Sequence, residues 1–342
     1  MTEKEYRGIL IFAEQKNNKI HKVAYELLGK GKLLAERLNC SLNAVILGPN
    51  EINTEELLYR GADKVYHIVD GEIFNKPHEL IYEENIVKLI NDIKPEVCLF
   101  GATAFGRSLA PRAAASLQTG LTADCTDLKI DDDMKLIQIR PAFSENILAH
   151  IKSDTFPQMA TIRYKEFEEA ERDIGRTGKI IKVEPVNSGS RTVEILEELQ
   201  NENINISDSE VIVAAGASIK SADDLNMIKE LAHLLGGEVG ASRALVETGI
   251  ISKEHQVGYS GSRVKPKIYI ACGISGAPQH LAGMKKSDVI IAINNDPSAP
   301  IFNFADYSIV GDIYKIVPNL INAIKTGESV NIQEEINERT SY

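Results

Sequence analysis

Residues 268–302 read IYIACGISGAPQHLAGMKKSDVIIAINNDPSAPIF. An apolar run from Ile268 to Cys272 ends in Gly273-Ile274-Ser275-Gly276, and helical spacing begins at once with Pro278, Gln279, His280, Leu281 and Ala282. A second apolar run, Val289 to Asn294, follows. Strand, glycine turn, helix and strand in this order imply parallel pairing with a crossover helix. Both runs are apolar along their length, as strands covered on both faces require. Glycines let the backbone approach a ligand closely, and unpaired N–H groups at a helix start attract phosphate. Gly273-Ile274-Ser275-Gly276 therefore reads as a pyrophosphate cradle to which Ser275 adds a hydroxyl donor, with Pro278 where a first-turn proline is tolerated. An ordinary tight turn fits the same residues. Asn294, Asn295 and Asp296 lie where open α/β sheets collect ligands, although Asn-Asp-Pro is also a common turn.

Working upstream, Val211 to Gly216 is another buried strand running into a glycine. Leu225 to Leu235 is an amphipathic helix closed by Gly236-Gly237, and Ile313 to Ile324 is a last helix. Between them stand Gly240-Ala241-Ser242-Arg243, small residues bearing one cation, and the loop Gln256-Val257-Gly258-Tyr259-Ser260-Gly261. Further upstream, strands at Gly8–Ala13, Leu42–Gly48, Val65–Val69 and Val97–Gly101 alternate with helical patterns over 20–38, 55–61, 79–93 and 106–117. From about Leu128 the pattern becomes more β-like. Near residue 185 the chain turns polar and acidic (EPVNSGSRTVEILEELQNENINISDSE), as connections between domains do. The expected division is an α/β domain over 1–187, a linker over 188–207, a second α/β domain over 208–326 and a polar tail over 327–342. Each domain has a mainly parallel sheet flanked by helices.

The bulk numbers narrow the function. The chain has 342 residues, a formal net charge of −11, 43% hydrophobic and 25% charged residues, an ordinary globular balance. An acidic chain is repelled by phosphates, which argues against nucleic acid and anionic membrane as partners. There is no apolar run of about 18 residues for membrane insertion, and the N-terminus lacks a signal-peptide pattern; a cytoplasmic location is the default expectation. Cys40, Cys98, Cys125 and Cys272 are scattered, with no CxxC, so they read as small buried hydrophobes in a reducing compartment.

The combination resembles the α subunits of electron-transfer flavoproteins. GISGAPQHLAGM, then AINNDPSAPIF and ADYSIVGD, are close to that family's signature for its FAD domain. GATAFGRSLAPRAAASLQTGLTADCTDL, RPAF and PQMATIR resemble its N-terminal half in the same order. The resemblance covers nearly the whole chain. It implies a Rossmann-like FAD-binding fold for the second domain, with Ser275 facing the pyrophosphate and Asn294 and Asp312 the adenosine part. Ser242, Gln256, Ser260, Gln279 and His280 would surround the flavin and its ribityl chain, and Arg243 would lie beside the isoalloxazine ring. Val257, Gly258, Gly261, Gly273, Gly276 and Ala277 complete the expected cofactor-binding set. Ser260 stands where many relatives have threonine and keeps a hydroxyl for N5; Pro278 replaces a commoner aliphatic residue. After the strand at 211–215 relatives often read Gly-Gly-Arg-Gly, whereas this chain has Ala215-Gly216-Ala217-Ser218, which leaves backbone N–H groups to serve there.

The resemblance further implies a heterodimer with a β subunit, formed mainly by the first domain, and electron transfer from a dehydrogenase or NADH to a partner acceptor. The loop VGYSG, in place of the usual Gln-Thr pair, resembles electron-bifurcating members from anaerobic bacteria. Ferredoxin and an acyl-CoA dehydrogenase-type flavoenzyme would then be partners. No catalytic triad or metal-ligand cluster is visible, so the chemistry would be the cofactor's. Two alternatives stay open: an NAD-dependent enzyme on a similar sheet, and a regulatory module binding a nucleotide in the first domain.

Overall fold

The computed structural model describes residues 5–74, 78–142, 144–186 and 206–327. The chain divides into two compact units, Met1–Glu194 and Ile195–Tyr342. The expected linker lies outside the described residues apart from 206 and 207, and the tail apart from Gly327.

In the first unit the order is β1 (Ile9–Phe12), β2 (Gln15–Lys16), β3 (Lys19–Ile20), α1 (Val23–Leu38), β4 (Leu42–Gly48), α2 (Glu55–Tyr59), β5 (Lys64–Val69), α3 (Glu79–Ile93), β6 (Val97–Gly101) and α4 (Ala104–Ser116). There follow β7 (Leu121–Cys125), β8 (Asp127–Ile130), β9 (Leu136–Ala142), β10 (Ser144–Ile151), β11 (Gln158–Ile162) and β12 (Lys179–Val183). Seven strands form one sheet in the order β12-β5-β4-β1-β6-β11-β7, and every pairing in it is parallel. Alternation along β1 shows how the sheet is covered on both faces. Ile9 and Ile11 point into the layer with Leu27, Leu28 and Leu34 of α1. Leu10 and Phe12 point to the other side, against Tyr82, Ile86 and Ile90 of α3 and Leu109, Ala110 and Ala113 of α4. A buried aliphatic side chain contributes roughly 1.5–3 kcal/mol, so these two layers hold the unit. The β-like stretch from Leu128 is an antiparallel sheet, β10-β9-β8.

In this unit β1 and β6 part the chain's two windings. Thr103, following β6, caps α4 by accepting from Gly106 N–H at 2.9 Å, and its hydroxyl donates to the carboxylate of Glu14, which follows β1.

The second unit runs β13 (Val211–Ala215), α5 (Leu225–Leu234), β14 (Glu238–Ala241), α6 (Arg243–Glu247), β15 (Ile268–Cys272), α7 (Pro278–Met284), β16 (Val289–Asn294), β17 (Tyr307–Val310) and α8 (Ile313–Thr326). Its five strands are all parallel in the order β14-β13-β15-β16-β17. Val213, Ala215, Ile270 and Cys272 face Ile228, Leu231, Val317 and Ile321 of α5 and α8. Ile212, Ala214, Tyr269 and Ala271 face Leu281 and Met284 of α7. Both sheets thus bear out the α/β expectation. Among the described residues no helix is long and apolar enough to cross a membrane, and the four cysteines are free, three of them buried.

Candidate functional site: a cavity at the carboxyl ends of the second sheet

Numbered within the second unit, the strand order is 2-1-3-4-5, so the winding reverses between β13 and β15. Ligands of open α/β sheets bind outside the carboxyl ends of the strands at such a point. A cavity of about 680 Å³ lies there, within the usual size of a cofactor site. It is lined from β13 by Gly216, Ala217 and Ser218, from β14 and α6 by Ser242, Arg243 and Glu247, and from β15 by Gly273, Ile274 and Ser275. Asn294 and Asp296 come from β16.

The floor is built by close backbone approach. A Cβ on Gly216 would lie 1.9 Å from the Gly273 carbonyl oxygen, which also accepts from the Ser218 hydroxyl at 3.1 Å. Gly276 has φ +88°, a conformation L side chains rarely adopt, and a Cβ there would stand 2.3 Å from Ile301 N. That turn is pinned by Ile301 N–H donating to the Ser275 carbonyl at 3.0 Å. It leaves the backbone N–H groups of Ile274, Ser275, Gly276 and Ala277 without a partner among the described residues. The same holds for Ala217 and Ser218, at the position where the sequence departs from its resemblance. Successive unpaired N–H groups form an anion-binding concavity. At the α7 start Pro278 has no N–H and His280 and Leu281 donate back to Ala277, while Gln279 N–H is one further donor without a partner among the described residues.

Asn294 is buried, and both ends of its amide are engaged: Nδ2 donates to the Ile274 carbonyl at 2.9 Å and Oδ1 accepts from Asp296 N–H at 3.0 Å. It holds the loop after β15 to the loop after β16. Gln256 is buried and donates from Nε2 to the Ser260 hydroxyl at 2.9 Å. Ser260 accepts that bond and keeps its own proton to give. Ser242 caps α6, accepting from Leu245 N–H. Arg243 is 69% exposed at the rim and pairs with Glu247 one turn on at 2.8 Å, a geometry that exposed helical pairs favour weakly.

His280 is 6% exposed. Its Nε2 lies 2.9 Å from the Tyr269 hydroxyl, and its Nδ1 has no hydrogen-bond partner of ordinary geometry. Burial pushes its pKa down to about 4, against a smaller opposing pull from the Val257 carbonyl; the ring is neutral at ordinary pH.

The structure thus brings Ser242, Arg243, Gln256, Val257, Gly258, Ser260, Gly273, Ser275, Ala277, Gln279, His280 and Asn294 to one cavity wall. Gly261, Gly276 and Asp312 are not in that lining. Gly261 and Gly276 shape their turns by close packing against Gln256 and Ile301, and Asp312 caps α8 through Tyr314 N–H. Sequence reasoning did not single out Ser218, Glu247, Tyr259 or Pro300 as lining. Glu247 carried a signal, four residues after Arg243, had the short helix α6 been recognised.

Glycine close approach and convergent N–H donors fit the diphosphate of a dinucleotide. Among the described residues no cluster of metal ligands accompanies them. Fold and cavity have the arrangement in which doubly wound sheets bind dinucleotides. The family model for the electron transfer flavoprotein domain matches residues 9–188, and that for the electron transfer flavoprotein FAD-binding domain matches 205–285. The electron transfer flavoprotein subunit alpha of Thermoanaerobacterium thermosaccharolyticum is 48% identical, over 94% of this chain and 98% of that protein. The subunit of the same name from Clostridium acetobutylicum is 46% identical, over 96% and 100%. Subunit LctC of the lactate dehydrogenase (NAD(+),ferredoxin) of Acetobacterium woodii is 42% identical, over 97% and 81%. The chain belongs to the electron transfer flavoprotein family as an α subunit. It is a flavoprotein of electron transport whose cofactor is FAD, and α subunits of this family pair with a β subunit.

Proposed function

We propose that the cavity at the carboxyl ends of β13–β16 holds the FAD, and that the chain, paired with its β subunit through the first unit, serves an electron-bifurcating flavoprotein. The observation that carries the site is the run of unpaired N–H groups from Ile274 to Ala277 beside backbone that admits no Cβ. Ser275 and these N–H groups hold the pyrophosphate. Asn294 and Asp312 act at the adenosine part by fixing the loops that enclose it, since both side chains already bond to neighbouring backbone. Ser242, Gln256, Ser260, Gln279 and His280 surround the flavin and ribityl chain, and Arg243 meets the ring from the rim. FAD supplies the one- and two-electron chemistry when bound; the chain orients it and sets the charge around it.

The bifurcating reading is supported by the VGYSG loop and by the LctC relative, whose printed name joins NAD(+) and ferredoxin. In this reading the heterodimer takes two electrons from NADH, sending one to ferredoxin and one towards an acyl-CoA dehydrogenase-type partner. Two measurements on the purified heterodimer test the proposal. Gly276→Val should empty the α cavity of FAD while leaving the heterodimer intact; full FAD content in that variant refutes the site. Two flavins per heterodimer and bleaching by NADH are expected. One flavin, one AMP and no bleaching would sink the bifurcating reading and leave the site standing.

A further inference from the structure

We propose that Tyr269 is a positioning residue: its hydroxyl donates to Nε2 of His280, a residue of the cavity lining, and fixes the imidazole with its proton on Nδ1. The inference rests on the reading that this cavity holds FAD. Tyr269 lies in β15, fully buried, on the face covered by α7, and its oxygen is 2.9 Å from His280 Nε2. The phenol has one proton to give, and among the described residues His280 is the one group in reach to accept it.

Two arrangements satisfy the distance. In one, the phenol donates to Nε2 and the ring proton sits on Nδ1. In the other, Nε2–H donates to the phenol oxygen. The second leaves the phenol proton with no acceptor among the described residues, inside an apolar cluster, and a buried donor without an acceptor is strongly disfavoured. It also turns a bare Nδ1 lone pair towards the Val257 carbonyl, the neighbour that favours a proton on the ring. Both effects select the first arrangement. Burial reinforces it: Tyr269 is pushed well above the usual phenol range and keeps its proton, while His280 is held neutral. Which imidazole nitrogen carries the proton is set by the bond the other one makes. The direction of the ring dipole is therefore fixed before the cofactor arrives, and the ring stays neutral around neutral pH. Such a preset dipole stabilises charge developing beside it without reorganising.

The test uses the heterodimer with [15N]histidine. Long-range 1H–15N correlation spectra report the tautomer of each ring, and the pattern missing from His280→Asn belongs to His280. The expected pattern is protonated Nδ1 and bare Nε2, unchanged between pH 6 and 9. A native ring protonated on Nε2, or on both nitrogens, overturns the proposal without recourse to any variant. Tyr269→Phe should retain full FAD stoichiometry, lose the fixed tautomer, and make first reduction of the flavin harder by up to about tenfold, which for one electron is about 59 mV. A Tyr269→Phe heterodimer with native tautomer and native potential also overturns it. Failure of the cavity reading is separately visible, because Gly276→Val would then keep its FAD whatever the tautomer.

Discussion

Gly283 sets helix propensity against packing. It is the penultimate residue of α7, where alanine would ordinarily be favoured over glycine by about 1 kcal/mol. A Cβ at this position would stand 2.4 Å from Gly258 N and 2.5 Å from its Cα. The obstacle is backbone, which cannot swing aside as a side chain would. It is also the backbone of the Gln256–Gly261 loop, which is held in turn by Gly258 N–H donating to the Ser262 carbonyl and Tyr259 N–H donating to the Gln279 carbonyl. Overpacking of this kind costs about 1–3 kcal/mol. We therefore expect Gly283→Ala to destabilise the second unit by up to about 2 kcal/mol despite the gain in propensity. The displaced loop carries Gln256, Val257 and Ser260 on the cavity wall, so FAD should dissociate roughly tenfold faster or more, tenfold corresponding to about 1.4 kcal/mol. The assay is FAD release from the heterodimer, followed by recovery of free flavin fluorescence, with thermal unfolding beside it. A variant that melts at or above the native temperature and holds FAD as firmly would show that propensity outweighs the contact and refute the reasoning.

Two further outcomes follow from charged groups. Glu26 is buried in α1, accepting from Lys165 and Phe167 N–H, and desolvation raises its pKa from 4.5 to about 8. The folded state binds this proton more tightly than the unfolded state, so its stabilisation is present below about pH 4.5 and is lost as pH rises through about 8. Glu26→Gln should flatten that loss, whose upper limit is ~5 kcal/mol for this gap. Equal denaturation midpoints for native and Glu26→Gln proteins at pH 6 and pH 9 would contradict it. At the cavity rim, Glu247 already offsets Arg243 and both are exposed, so Arg243→Ala should lower the flavin potential by less than about 60 mV. Glu247→Gln should raise it; potentials unmoved in both variants, by dithionite titration, would remove the pair from the flavin's surroundings.

Much of this architecture was legible because its strands are covered on both faces. ILIF, LNAVILG, VCLFG, IYIAC and VIIAIN are apolar runs too short for helices, and each is a strand of the structure. The elements that escaped notice are those in which burial does not impose a pattern. β14 (EVGA) is four residues with a glycine, β17 (YSIV) is an edge strand with most side chains exposed, and β12 (KIIKV) is an edge carrying Lys179 and Lys182. Missing β14 hid the five-residue helix behind it, and so Glu247. The cradle was legible for the opposite reason: close backbone approach leaves glycine no substitute. The Asn294 bridge was not, because its partners are main-chain atoms that any residue offers.

The contact between Glu14 and Thr103 acts as a plug in the first sheet. It stands at the first sheet's own point of reversal, beside the capped start of α4, where a sheet of this kind would otherwise welcome a phosphate. A tethered carboxylate occupies that place at an effective concentration of about millimolar or more, and a free nucleotide would have to evict a rival that never diffuses away. The second sheet's point of reversal carries no such side-chain plug and is lined instead by close-approaching glycine backbone.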